Sequence, residues 1–281
     1  MATRALAWIG LATPLLPTLA ESQGARYHIL VTNDDGIGSP GILQLARALA
    51  EVGEVRLVAP CGEQSGSSMG IALREQLVLD SVEVAGLGVG YCLDTTPAGV
   101  ALVAISALAP EGGFDLVVSG INRGANVGEV SHMSGTVGAA MMGALHGIPA
   151  VAASSGSRGD DFGYASRFVA GFVRELRSRG AVPGIVYSIN VPRATEAEIR
   201  GVAVAKMGGM QYTLGFTEIV AGGQRTFRPQ IGAAKEAPPE SDTQAFLDDM
   251  VTITPLRFDW TAYSVLDELK GWKLSPRVGG N

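Results

Sequence analysis

The chain has 281 residues, 47% hydrophobic, 17% charged and 6% aromatic, a composition that can bury a sizeable core and is not that of a disordered protein. Its formal charge of −6 argues against a nucleic-acid polymer surface, which needs clustered Lys and Arg, but permits a small anionic substrate held by local cations or helix N-termini. Cys61 and Cys92 are too few for a zinc ribbon or a disulfide framework.

Residues 1–20 begin with a short basic start, MATR, followed by an apolar run with small residues at Thr18 and Ala20. This is the order of a cleavable export signal, and it predicts a periplasmic or secreted protein. The run is short for a membrane span and carries Pro14 and Pro17, so no stable span is expected. The alternative is a disordered extension on a cytoplasmic chain. In an exported chain Cys61 and Cys92 are free to pair, although the sequence does not give their separation in space.

YHILVTN, residues 27–33, reads as a β-strand. A helix follows in SPGILQLARALAEVG, where Ile42, Leu45, Leu49 and Val52 recur at helical spacing. Ser39 is its expected N-cap, Pro40 takes the first helical position and Gly53 lies past the end. EVRLVAP completes a βαβ unit, which implies a parallel sheet. Helices are then expected in TTPAGVALVAISALAP, SGTVGAAMMGALHG and YASRFVAGFVRELRSRG, and strands in FDLVVSG, IPAVAAS and GIVYSINVP. The expected fold is α/β, a Rossmann-like, doubly wound and mostly parallel sheet over residues 27–195. Residues 196–281 are read as part of the same domain. GVAVAK is a strand, residues 208–246 form β-hairpins or extended arms outside the main sheet, MVTITPL returns as a strand, and a terminal helix lies near 262–272.

Ligands of such sheets bind beyond the carboxyl ends of the strands. Three loops rich in Asp, Asn, Ser and Gly fall there: NDDGIGSP, PCGEQSGSSMG and GINRGANVGEVSHMSGT. The first contains Gly36-x-Gly38-x-x-Gly41, the spacing of a dinucleotide fingerprint. Asp34 and Asp35 stand directly before it and would repel a pyrophosphate, and the second strand ends Val58-Ala59-Pro60-Cys61 without the acid that holds a ribose. The paired carboxylates suit a hard divalent cation, Mg²⁺ or Mn²⁺, with Ser65 and Asn122 as neutral oxygen donors. The plainer alternative makes Asp34 and Asp35 turn and capping residues ahead of Ser39. Ser134-Gly135-Thr136 opens a helix whose free N–H groups form an anion site at the same edge, and Asn126 adds neutral donors. A cation site beside an anion site suggests a phosphate ester.

Motifs of other phosphatases are missing. Position 36 is Gly where a haloacid-type enzyme needs Asp-x-Asp, and Asp-x-His, Gly-Asn-His and Arg-His-Gly do not occur. Gly66-x-Ser68-x-Gly70 has the spacing of a nucleophile elbow, but residues 60–65 separate it from the strand. His28 and His146 are read as structural, and His132 as a candidate substrate contact.

In order, HILVTNDDGIGSPGI, the Ser65-Gly66 pair, VVSGINRGANVG, SGTVGAAMMGA, INVP, SDT and VTITPL resemble the SurE family, from residue 27 to about 270. The resemblance implies a metal-dependent phosphomonoesterase acting on nucleoside monophosphates, a 5′-nucleotidase and often a 3′-nucleotidase; the residues themselves do not decide between nucleotides, polyphosphate and other monoesters. It implies C-terminal hairpins and a swapped tail that build a homodimer or tetramer. By motif, one divalent cation per subunit would bind Asp34, Asp35, Ser65 and Asn122, while Asn126, Ser134, Gly135 and Thr136 would face the phosphate. Asp34, Asp35 and Asn122 would be catalytic, a cation-activated water attacking phosphorus in line with Asp34 orienting or deprotonating it. The alternative is a nucleotide-binding or assembly protein of the same fold with little or no catalysis. Three departures stand out. Cys61 replaces the family's acid after Ala-Pro, Gly99 replaces the acid of Thr-Pro-x-Asp, and residues 208–240 lack the usual aromatic- and Arg-rich arm.

Overall fold

The computed structural model describes residues 26–72, 76–156 and 159–272. The segment read as an export signal lies outside the described residues. In chain order the elements are β1 (His28–Thr32), α1 (Pro40–Ala50), β2 (Glu54–Pro60), β3 (Leu79–Val84), β4 (Gly88–Leu93), α2 (Pro97–Ala107), β5 (Leu116–Arg123), a 3₁₀ turn (Gly128–Met133) and α3 (Gly135–Leu145). Then come β6 (Ala150–Ser155), α4 (Gly163–Arg179), β7 (Ile185–Val191), β8 (Gly201–Val204), β9 (Tyr212–Ala221), β10 (Gln224–Ala233), α5 (Asp242–Leu247), β11 (Met250–Arg257) and α6 (Tyr263–Lys270).

Nine strands form one sheet in the order β3-β4-β2-β1-β5-β6-β7-β11-β8. The run from β4 to β7 is parallel, while β3 and β11 join it antiparallel. Helices cover both faces. Ile42, Leu45 and Leu49 of α1 and Val169 and Val173 of α4 pack with Ile29, Val31 and Val118. On the other face Val100 and Ala104 of α2 and Val137 and Ala140 of α3 pack with Leu30, Val58 and Val117. Strands buried on both sides read as continuous apolar runs, which is why β1 and β5 show little alternation. α2 and α3 are apolar almost all round because they also bury Ala98, Ala101, Ala139 and Met142 against each other.

The doubly wound expectation holds, with three additions: the β3–β4 hairpin, the 3₁₀ turn and α5. β9 and β10 pair antiparallel outside the main sheet, as expected of an arm. They expose Leu214, Phe216, Val220, Phe227 and Ile231, and α6 buries no residue. No helix among the described residues is long and apolar enough to cross a membrane.

Two features position the site. β1 lies between β2 and β5, so the chain leaves β1 toward one side and returns on the other, opening a crevice beyond the carboxyl ends of β1 and β5. Second, β5 carries one extra residue against β6: Ser119 pairs with Ala152, but Asn122 pairs with Ser154. Gly120 absorbs this bulge at φ +134°, where a Cβ would lie 2.2 Å from the Ala153 carbonyl oxygen.

Candidate active site

Asn33 follows β1, and its amide donates to Gly36 O at 2.9 Å and to Ser39 Oγ at 2.8 Å. These bonds close the turn that sends Asp34 and Asp35 into the crevice. They also engage the Ser39 hydroxyl; Ser39 is the N-cap of α1, as its place before Pro40 predicts, but it makes no side-chain cap bond to the helix.

Asp34 is buried, and its Oδ1 accepts a 2.5 Å hydrogen bond from Thr136 Oγ1 in the first turn of α3. Burial pushes its carboxyl up to about 6; the Thr136 bond opposes that rise and the neighbouring Asp35 charge adds to it. Asp35 is half-buried and accepts from the Arg123 main-chain N–H at 3.3 Å. Burial raises its pKa too, against the pull of that N–H, and Glu63 pushes in the same direction as burial. Burial, more than any neighbouring charge, thus disfavours the ionised form of both acids.

The loop after β2 folds across this pair. Gln64 N–H donates to the Asp34 carbonyl at 2.7 Å, and Ile37 N–H to Pro60 O at 2.9 Å. The loop is seated on α3 so closely that a Cβ on Gly138 would lie 1.9 Å from Ser68 O. A Cβ on Gly135 would lie 2.8 Å from Ser67 Oγ and 2.9 Å from Asp34 Oδ2. Glycine at Gly135 thus keeps a small space between a hydroxyl and a carboxylate. Ser67 Oγ is buried and has no hydrogen-bond partner among the described residues.

The third loop is held from behind. Asn122 Nδ2 donates to Gly124 O at 2.8 Å, which fixes the orientation of its amide. Asn126 Nδ2 donates to Ser154 Oγ at 2.9 Å, and its main-chain N–H to Asn190 Oδ1 at 2.7 Å. Further along, the buried Asp242 carboxylate accepts from Gly128 N at 3.0 Å, Gly208 N at 3.0 Å, Thr243 N at 2.8 Å and Thr254 Oγ1 at 3.3 Å. Ser134 caps α3 by accepting from Val137 N at 3.1 Å.

A family model described as Survival protein SurE matches residues 29–214. The chain belongs to the SurE family. It is 40% identical to the 5′-nucleotidase SurE of Myxococcus xanthus (strain DK1622) over 254 residues, covering 88% of this chain and 94% of that protein. It is 37% identical to the protein of the same name from Moorella thermoacetica, covering 87% of this chain and 95% of that one. The crystal structure of the SurE protein from Aquifex aeolicus matches with a TM-score of 0.77 and 31% identity, over 86% of this chain and 98% of that one.

Within this SurE fold, Asp34, Asp35, Gly135 and Thr136 converge on one crevice. Thr136 and Asn126 are expected to face a phosphate, yet their side chains are committed elsewhere, to Asp34 and to Ser154. Ser65 is exposed, and its N–H donates to Glu63 Oε1 at 3.0 Å. Ser68 is no nucleophile elbow, because its hydroxyl donates to the His132 carbonyl at 2.6 Å and not to an imidazole. The His132 ring meets Trp260 edge-on, centroids 6.2 Å apart, lining an apolar cavity of about 440 Å³. His28 and His146 make the main-chain contacts of structural residues, to Gly113 O and Met142 O. Sequence reasoning misses Ser67, Glu63, Ser154, Asn190 and Asp242. The only signals for the last two are the INVP and SDT motifs, whose partners are distant in sequence. A Cβ on Gly99 would lie 2.9 Å from Thr95 Oγ1, so an acid at this position would need Thr95 to shift.

Proposed function

We propose that this SurE protein is a divalent-metal-dependent phosphomonoesterase that hydrolyses nucleoside monophosphates to nucleoside and phosphate. The observation that carries the reading is Asp34, a buried carboxylate fixed by Thr136 at the start of α3 with Asp35 beside it. The relatives named 5′-nucleotidase support the substrate class.

The residues fit a hard cation. Two adjacent carboxylates have their pKa values raised by burial, and Asp34 Oδ2 and Ser67 Oγ, a buried hydroxyl without a partner among the described residues, both border the space Gly135 leaves open. Asp34, Asp35, Ser65 and Asn122 are the proposed ligands, and Mg²⁺ and Mn²⁺ both suit their oxygen donors. When bound, such a cation neutralises phosphoryl charge and makes water more acidic.

The chain's own groups supply the rest. Thr136 holds Asp34 Oδ1, leaving Oδ2 to orient the attacking water and take its proton. The Gly135 main-chain N–H and the Ser134 hydroxyl, at the start of α3, are the groups proposed to face the phosphoryl oxygens as charge builds there; the Val137 N–H is already held by Ser134 Oγ. Thr136 and Asn126 contribute from one step back, through Asp34 and Ser154. The new P–O bond forms as the ester P–O bond breaks, and the leaving nucleoside oxygen takes up the proton.

Two further parts of the reading concern context. Exposed Phe216, Phe227 and Ile231 on the arm, and Leu266 and Trp272 at α6, support a homo-oligomer. The Cys61–Cys92 disulfide supports export to an oxidising compartment.

The test is phosphate release from AMP and a nucleotide panel, with Mn²⁺ or Mg²⁺ and then with EDTA. Turnover is expected to stop in EDTA and return with metal. Release that ignores EDTA overturns the metal assignment, and no release from any nucleotide favours a binding or assembly role.

A further inference from the structure

We infer that the Cys61–Cys92 disulfide is a positioning element of the catalytic centre, fixing the loop of residues 61–70 over α3 so that cation affinity is higher in the oxidised protein than in the reduced one. Its activity arm rests on the phosphomonoesterase reading above; its loop arm does not.

Cys61 is the first residue after β2, and Cys92 is a buried residue of β4. The two strands are neighbours in register, Ala59 opposite Cys92 and Pro60 opposite Leu93, and Cys61 N–H donates to Leu93 O at 3.1 Å. The disulfide therefore anchors the loop at its root, where the chain leaves the sheet. From there to Ser68 the loop has no apolar anchor. Cys61, Gly62, Glu63, Ser65 and Gly66 are exposed, and Gly62 and Gly66 are conformationally permissive. Yet this stretch contributes Gln64 N–H to the Asp34 carbonyl and places Ser67 Oγ at the edge of the space that Gly135 leaves open beside Asp34. Ser68 and Met69 are seated on α3 and the core, so the stretch from Cys61 to Gly66 is the part of the loop that gains order from a covalent tie at its root.

Asp80 of β3 stands opposite Cys92, its carboxylate within 4.8 Å of both sulfurs. A negative charge there disfavours thiolate at either sulfur, which slows both attack on the bond and its rearrangement. Cys61 is nonetheless exposed, so a small dithiol reaches it. Reduction by dithiothreitol moves two electrons and two protons onto the pair, giving two thiols while the reductant closes to its cyclic disulfide.

The experiment uses the full chain in three forms: oxidised, reduced and desalted without air, and Cys61→Ser/Cys92→Ser. Thiol titration in denaturant should find no free thiol in the first form and a full pair in the second. Hydrogen exchange over residues 61–70 should be faster in the reduced and variant forms, and Mn²⁺ binding, read from free Mn²⁺ by electron paramagnetic resonance, about tenfold weaker. With AMP, KM should rise more than kcat falls, and oxidised glutathione should restore the reduced protein but not the variant. Free thiols in the oxidised protein, or exchange and Mn²⁺ affinity unchanged by reduction, overturn the inference. Redox-dependent exchange and Mn²⁺ binding without turnover of any nucleotide would uphold it while sinking the enzymatic reading.

Discussion

Thr136 Oγ1 donates to Asp34 Oδ1 across 2.5 Å, joining the first turn of α3 to the loop after β1. Removing the hydroxyl leaves a buried carboxylate with one donor fewer, a loss of about 1–3 kcal/mol for a bond to a charged group. Thr136→Val is expected to lower kcat/KM for AMP about 10- to 100-fold, the range typical of groups that orient a metal ligand, and Thr136→Ser to recover most of it. Steady-state kinetics beside thermal melts check this. A Val variant with wild-type kinetics would show that Asp34 needs no such tether.

The pH dependence of the metal-free protein follows from Asp34. Its carboxyl is pushed up to about 6 by burial, above its ordinary 3.8, so the folded state holds the proton more tightly than the unfolded one. Stability in EDTA should therefore be highest at low pH for this group and fall as pH rises through the window from 3.8 to about 6, by at most about 3 kcal/mol. A divalent cation offsets the penalty above that window. Melting curves at pH 4.5 and 7.5, with and without Mn²⁺, should show the larger metal-induced rise at the higher pH.

Gly135 keeps open the space beside Asp34 Oδ2. A methyl there would sit 2.8 Å from Ser67 Oγ and 2.9 Å from Asp34 Oδ2, closer than ordinary contact allows. Gly135→Ala should cost about 1–3 kcal/mol of stability, because the methyl must displace Ser67 Oγ and the Asp34 side chain that Thr136 holds. It should weaken Mn²⁺ binding at least about tenfold, the scale of a disturbed ligand shell. Equilibrium Mn²⁺ binding and a melting curve on one sample separate the two effects.

Asp242 is a buried carboxylate with four donors, one of them on the loop that leads into α3. Asp242→Asn keeps the shape but turns part of the acceptor into a donor facing N–H groups. Urea unfolding should report a loss of about 2–4 kcal/mol, between the value of a charged hydrogen bond and that of a broken buried ion pair. KM for AMP should rise as well. Thr254→Val, which removes only the sheet-side donor, should destabilise without moving KM.

Much of this molecule was legible because the signals were local. The βαβ alternation shows as apolar strands and 3.6-periodic helices, and Asp34-Asp35 sits in contiguous motif at the end of a strand. The β3–β4 hairpin escaped because LDSVEV exposes most of its side chains and so carries no core-facing pattern. Ser67 escaped because its position depends on how one loop lies on a helix far along the chain. Asp242 reaches Gly128 across 114 residues, a pairing no window of sequence contains. The Cys61–Cys92 bond spans 31 residues, and its partners meet only because β2 and β4 are neighbours in the sheet.

The extra residue in β5 has the character of a phase change. Along a regular strand, residues an odd number of steps apart point to opposite faces, so Ser119 and Asn122 should diverge. The bulge resets the count, pairing them with Ala152 and Ser154, which share a face. Up to Ser119 the strand keeps time with the core, and from Asn122 onward it keeps time with the crevice. One inserted residue thus divides β5 into a structural half and a chemical half, and a deletion that restored regular pairing would leave the sheet standing and its edge out of step.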